Sequence, residues 1–137
     1  RYANIKRAQG VLLPAVQADE LERISAFVED HVGMDETLFT YPELGTYNFF
    51  VNRRFFGKFP ISTFSWFNDR WHQEYLDALR ARKPQYIIAQ KEIPKYWEDV
   101  YLAIEPNRQK YKDVMDIIHS DYRITAETPL SYIYELK

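Results

Sequence analysis

The spacing of apolar residues in the first third of the chain predicts a helix, a strand and a second helix. Leucine, isoleucine and valine fall on one helical stripe between positions 21 and 32, and Asp19 with Glu22 resembles a capping box at the start. The apolar run TLFTYP at 37–42 predicts a short buried strand that ends at proline. Apolar positions on one side of 44–51 predict a short helix.

The remaining two thirds of the sequence predict two longer helices, a buried strand and a hairpin. Asn68 is a good cap for a helix that Pro84 ends, and Pro106 is suited to the first turn of the next helix. Between them, QYIIAQ at 85–90 is continuously apolar, as in a parallel strand covered on both faces. Segments 122–127 and 130–136 alternate around a Thr-Pro pair and predict a hairpin. Residues 53–67 have no clear period and are predicted as loop, and 91–104 as loop with a helical turn.

This order of elements predicts an α/β fold. Strands separated by helices require crossover connections, which favour a parallel sheet with helices on both faces. We therefore expect a three-layer domain with a mostly parallel sheet of about four to five strands and a C-terminal antiparallel hairpin. In particular, Thr37–Tyr41 and Gln85–Gln90 are expected to be adjacent parallel strands, with Ile87 and Ile88 both buried.

Composition and charge narrow the classes of function. With 137 residues, 46% hydrophobic and 17% aromatic, the chain is long enough for one domain with a substantial core. The formal net charge of −2 gives no indication of nucleic-acid binding. The absence of cysteine excludes disulfides, thiolate catalysis and cysteine-ligated metals. No stretch approaches the roughly 20 apolar residues of a membrane span.

The familiar catalytic and cofactor motifs are missing from the sequence. The four glycines are scattered, so no loop of the kind that cradles nucleotide phosphates is present. The three histidines lack the spacing of metal ligands, and no serine lies in a nucleophile elbow. We therefore predict no catalytic residue, no metal ligand and no cofactor in this chain.

Two interpretations fit the run NFFVNRRFFGKFPIST at 48–63. Its phenylalanines could be core residues at a helix end with the arginines in solvent, or the run could be an anion site or a membrane-facing surface. It follows the first predicted strand, so the second interpretation places it at the ligand-binding edge of the sheet. We expect Arg53, Arg54 and Lys58 to be exposed, with at least two neighbouring phenylalanines only partly buried. The candidate binding residues are Tyr41, Glu43, Asn52, Arg53, Arg54 and Lys58.

Several short motifs, in order, resemble a known family. GVLLPAVQADEL, DETLFTYPE, YNFFVNRR, LDALRARKPQYIIAQ and YRITAETPLSYIYEL are similar to the C-terminal soluble domain of bacterial GT-C-type membrane glycosyltransferases. These are dolichyl-phosphate-mannose-protein mannosyltransferase-like proteins that use polyprenyl-phosphate sugars. The resemblance covers essentially the whole chain, and it lies in the order of the motifs more than in any one of them.

The resemblance implies a location and a role. Residues 1–137 would be a single soluble domain, a fragment of a larger membrane protein, on the extracytoplasmic side of the cell membrane. The family's catalytic acidic residues lie in an early loop between transmembrane helices, so no residue here inherits catalysis. The expected partners are the protein's own upstream transmembrane domain and lipid headgroups or the polyprenyl-phosphate sugar, with no nucleic acid. The alternative is a non-enzymatic ligand-binding or sensor module of a membrane protein.

Overall fold

The computed structural model describes residues 1–42, 44–58 and 66–137 as an α/β fold. A short 3-10 turn at Lys6–Ala8 precedes the first helix. The elements that follow, in chain order, are α1 (Ala15–His31), β1 (Thr37–Tyr41), α2 (Gly45–Phe50), β2 (Arg54–Phe55), α3 (Asp69–Arg82), β3 (Tyr86–Gln90), α4 (Lys95–Val100), α5 (Glu105–Asp121), β4 (Tyr122–Glu127) and β5 (Ser131–Leu136).

The strands form one sheet in the order β2-β1-β3-β5-β4. β1 is parallel to both of its neighbours, and its register with β3 pairs Phe39 with Ile87 and Thr40 with Ile88. β5 is antiparallel to β3 and to β4, so four of the five described strands run in the same direction. The predicted adjacent parallel pair and the C-terminal hairpin are both confirmed.

Helices cover both faces of the sheet, as predicted. Phe39 and Ile87 pack against α3 and α5 on one face. Leu38 and Ile88 point to the other face, where they pack against α1 and residues flanking α2. Ile87 and Ile88 are fully buried because neighbouring residues of a covered strand point into two different apolar layers.

The first helix begins five residues earlier than predicted. It starts at Ala15 after Pro14, whereas the sequence pattern suggested a capping box at Asp19. Asp19 and Glu22 instead bind Arg1. Glu22 also accepts a hydrogen bond from the amide of Asn4. These hydrogen bonds lower the pKa of Glu22 to about 2. The acidic pair thus holds the N-terminal segment against α1 and does not cap the helix.

Two short elements lie where the sequence predicts irregular structure. β2 occupies two residues of the predicted loop 53–67, and α4 forms six residues of the ambiguous segment 91–104. The buried side chain of Asn48 explains how so short a strand is held. Its amide donates to the carbonyls of Leu38 in β1 and Arg54 in β2, and its oxygen accepts from Thr40. β2 has only two residues and α4 has no buried residue, so neither shows a hydrophobic period.

We expect Ile88→Ala to lower the free energy of unfolding by about 2–5 kcal/mol, because the truncation leaves a cavity between the sheet and α1. Urea unfolding followed by circular dichroism measures the change. Ile124→Ala on the outer strand β4 is the matched control, since that side chain is exposed, and it should change stability by less than about 1 kcal/mol. Equal losses in the two variants would contradict the assignment of β3 to the centre of a covered sheet.

Candidate functional site

A crevice opens at the carboxyl end of β3, the strand that is paired with β1. The chain leaves β1 toward α2 on one face of the sheet, and it leaves β3 toward α4, whose Trp97 packs on the opposite face. Two adjacent parallel strands whose connections diverge in this way form a topological switch point, where open α/β sheets bind ligands. The Tyr41–Pro42 peptide bond at this edge is cis.

The crevice widens into a cavity of about 570 Å³, here called the switch-point cleft. This volume is within the range of about 300–1,000 Å³ that is usual for small-molecule sites. Tyr47 of α2, the segment 90–95 after β3, Glu98 of α4 and the hairpin turn at Pro129 and Leu130 line it. Four separate parts of the chain therefore meet at one concave surface.

Buried polar groups lie at and behind the base of the switch-point cleft. Oε1 of Gln90 is buried and has no hydrogen-bond partner among the described residues. Glu20 of α1 is fully buried, and its Oε2 accepts a hydrogen bond of 2.8 Å from the amide of Leu130. Burial, with the Glu20 carboxylate nearby, raises the pKa of Tyr47 well above its ordinary range. The Tyr47 hydroxyl is therefore protonated at neutral pH.

The charges that line the switch-point cleft are balanced. Lys91 and Lys95 contribute two positive charges, and Glu92 and Glu98 contribute two negative ones. Each lysine already has an acidic partner: Lys91 Nζ is 3.0 Å from Glu127, and Lys95 Nζ is 2.9 Å from Asp99. The Lys91 ammonium also lies 5.2 Å from the ring centroid of Tyr132. The lining itself has no net charge, and the partners Glu127 and Asp99 add two negative charges beside it, so the surroundings of the cleft do not favour an anion.

The structure does not bring the six predicted binding residues together. Tyr41 is buried, stacked on Tyr111 at the face covered by α5, so its side chain does not line the switch-point cleft. Lys58 is exposed beside Glu74 of α3. Glu43 lies outside the described residues. Asn52, Arg53 and Arg54 lie at the opposite edge of the sheet from the switch-point cleft.

The prediction that the arginine pair lies at the ligand-binding edge is wrong, and the pairing of β2 explains why. Because β2 is parallel to β1, it must begin at the same edge as β1, with Thr37 paired to Arg54. α2 therefore carries the chain back along the sheet, and residues 51–54 emerge near the C-terminus of α1. The sequence pattern does not reveal this two-residue strand. The prediction therefore placed the two arginines at the wrong edge of the sheet.

Arg53 caps the C-terminus of α1. Its Nε donates to the carbonyl of Val32 at 2.9 Å, and Nη2 donates to Val28 at 3.4 Å. A cation is stabilising at this end of a helix because unpaired carbonyls carry partial negative charge there. Its neighbour Arg54 is exposed on the edge strand. The two adjacent arginines therefore have different roles, the first of them structural.

A second surface surrounds α2 and the N-terminal segment. Phe49 is 59% exposed, and the guanidinium carbon of Arg7 lies 5.3 Å from its ring centroid. Tyr2 and Leu12 form a β-bridge in the N-terminal segment, which also contains Arg7, and are 62% and 70% exposed. With Lys6, these residues are called the apolar-basic surface: Tyr2, Lys6, Arg7, Leu12 and Phe49.

A groove of about 440 Å³ adjoins the apolar-basic surface. Lys6, Arg7, Asn52 and Arg53 line part of it, so two of the predicted residues do share a site with other basic side chains. The expected partial exposure of the phenylalanines is also confirmed, since Phe49 is exposed and Phe50 and Phe55 are half-buried, whereas Phe56 is buried.

Sequence reasoning missed the residues that line the switch-point cleft. The signal was available for residues 90–95, because the rule that ligands bind at the carboxyl end of a parallel strand applies to β3 as well as to β1. The other lining residues come from α2, α4 and the hairpin turn, which only the folded chain brings to that edge.

Comparison of the chain with protein-family models, curated proteins and solved structures finds no match. Within residues 1–42, 44–58 and 66–137, no helix is both long and apolar enough to span a bilayer. The same residues contain no group of three acidic, histidine or cysteine side chains arranged for a metal ion.

We expect Arg53→Ala to lower the free energy of unfolding by about 1–2 kcal/mol, because it removes charged hydrogen bonds to the end of α1. Arg54→Ala is the matched control and should change stability by less than about 0.5 kcal/mol. Chemical denaturation of both variants measures the difference. A result in which the two variants are equally stable would contradict the capping role of Arg53.

Proposed function

We propose that this chain is an accessory extracytoplasmic domain of a membrane glycosyltransferase that uses a polyprenyl-phosphate-linked sugar. The observation that carries the proposal is the apolar-basic surface, which fits the headgroup zone of a membrane. The order of motifs that resembles the GT-C-type enzymes supports the same assignment. In that family the catalytic loop lies elsewhere in the protein, so the chain would not transfer sugar by itself.

The physical argument for membrane contact rests on which side chains are exposed together. Phe49 and Leu12 present apolar surface to water, and transfer of such groups into a bilayer interface is favourable. The guanidinium of Arg7 lies over the ring of Phe49, Lys6 is the preceding residue, and each cation near an anionic lipid surface contributes about 1 kcal/mol. Tyr2 adds an aromatic ring with a polar end, which suits the boundary between lipid and water.

The same placement would bring the domain close to a lipid-linked donor. Polyprenyl-phosphate sugars carry their phosphate at the membrane surface, where the groove beside Lys6, Arg7 and Asn52 would lie. Glu22 and Glu29 also line this groove and moderate its positive charge. The groove therefore supports contact with headgroups more than tight binding of a free phosphate.

Vesicle binding tests the apolar-basic surface directly. We expect the chain to bind vesicles that contain phosphatidylglycerol, and to bind pure phosphatidylcholine more weakly, with the difference shrinking as salt rises. The double variant Leu12→Ser with Phe49→Ser should bind at least about tenfold more weakly, because two apolar contacts are lost. Co-sedimentation with vesicles measures both effects.

The matched control for this experiment is the double variant Tyr96→Ser with Ile104→Ser. These side chains are also exposed but belong to α4 and the segment after it. If the control loses as much binding as the Leu12 and Phe49 variant, the membrane-contact role of the apolar-basic surface is refuted. Circular dichroism of each variant confirms that it is folded.

The reading frame that encodes the chain distinguishes the glycosyltransferase assignment from the alternative, a ligand-binding or sensor module of a membrane protein, and an enzyme assay tests whether the chain is inactive by itself. We expect the isolated chain to show no transfer from a polyprenyl-phosphate sugar. The reading frame that encodes it should also encode roughly ten or more hydrophobic spans, with an acidic pair in the first outer loop. Turnover by the isolated chain, or a reading frame without such spans, would contradict the proposal.

A further inference from the structure

We propose that the switch-point cleft binds a neutral saccharide. The inference is drawn from the cleft's lining, which combines balanced charges, a buried unpaired acceptor and an apolar wall. Its binding of a sugar does not depend on the membrane surface described above. The assignment of that sugar as the acceptor or the donor of a transfer reaction rests on the proposed function.

The charge pattern of the cleft favours a neutral polar ligand over an anion. A phosphate or carboxylate group would meet Lys91 and Lys95, but both lysines have acidic partners within hydrogen-bond distance. It would also meet the carboxylates of Glu92 and Glu98 on the same surface. Sugar hydroxyls donate and accept hydrogen bonds at once, so they can use the free N–H groups of a paired lysine and the oxygens of a glutamate.

Gln90 supplies an acceptor that lacks a partner within the described residues. Its Oε1 atom is buried, and the residue is part of the cleft lining at the end of β3. Buried acceptors are nearly always hydrogen-bonded in folded proteins, so this atom gains a partner when rotation of the half-buried Gln90 side chain turns it toward a ligand hydroxyl in the cleft. The position of Gln90 at the switch point is also where ligands of open α/β sheets make their polar contacts.

Part of the cleft lining is apolar and largely preorganised. Pro94 and Pro129 are rigid, and Leu130 is held in place because its amide donates to the buried carboxylate of Glu20. Tyr47 adds a half-buried aromatic ring. Pyranose rings have one face of C–H groups and a rim of hydroxyls, so they match a lining that combines apolar and polar side chains. Such a combination of apolar wall and few polar groups is typical of small-molecule sites.

Nuclear magnetic resonance titration of the purified chain, without lipid, tests the inference. The probes are the methyl glycosides of mannose, glucose, galactose and N-acetylglucosamine, their disaccharides, and inorganic phosphate. We expect at least one saccharide to cause saturable shifts of the backbone amides from Gln90 to Lys95 and of Leu130. Phosphate should cause no saturable shift there. Because no membrane is used, failure of this experiment leaves the vesicle experiment unaffected, and the reverse also holds.

Variants then test which side chains make the site. Gln90→Met keeps the size of the side chain and removes its acceptor, and we expect it to weaken saccharide binding about fivefold to tenfold. Glu98→Ala changes an exposed residue of the same cleft and should also weaken saccharide binding. Because Glu98 is exposed and Gln90 is partly buried, the Glu98 variant carries less risk of misfolding. Gln85→Met, an exposed glutamine at the other end of the same strand, is the matched control and should leave binding unchanged.

Each outcome bears on the proposal. No saturable shift with any saccharide, shifts confined to another surface, or saturable binding of phosphate alone would overturn it. Unchanged saccharide affinity in both Gln90→Met and Glu98→Ala would overturn the assignment to this cleft. Weakened binding in either folded variant, with Gln85→Met unaffected, supports it.

Discussion

The position of β1 between two strands that are parallel to it is the constraint on which the rest of the structure depends. The chain leaves β1 over the face that α1 covers and reaches β2, whereas it leaves β3 over the opposite face, where α4 and α5 pack. These diverging connections make the carboxyl ends of β1 and β3 a topological switch point, and the switch-point cleft lies at the end of β3. The connection from β1 to β2 also returns the chain to the amino edge of the sheet, which places Arg53 at the end of α1.

A few buried polar side chains hold the layers in register around that sheet. Asn48 joins α2 to the carbonyls of β1 and β2, so the short strand pairs in only one position. Glu20 joins α1 to the hairpin turn through the amide of Leu130. Buried polar groups are costly unless they are paired, so each such contact strongly favours one arrangement of its elements over alternatives. These contacts shape the cleft although neither side chain lines it.

The two surfaces of interest differ in the chemistry they present. The apolar-basic surface carries exposed Phe49 and Leu12 beside cations, and its chemistry suits an extended anionic boundary with apolar depth. The switch-point cleft is concave and balanced in charge, and its chemistry suits a discrete polar molecule. A domain with both features would hold a soluble ligand close to a membrane, which is the arrangement that transfer from a lipid-linked donor requires.

The sequence by itself determined the fold class, the two central strands, the hairpin and the long helices, because each rests on a period or a cap that extends over several residues. Asn68 capped α3 as its type predicts, and Ile87 and Ile88 were buried as a continuous apolar strand requires. Only the tertiary structure decided the position of the arginine pair and the lining of the cleft. A two-residue strand and a six-residue helix carry no readable period, and the side chains they bring together are distant in sequence. Local sequence patterns reflect interactions between residues that are close along the chain. A binding site combines residues that are distant along the chain, so its lining depends on which edge of the sheet each element reaches.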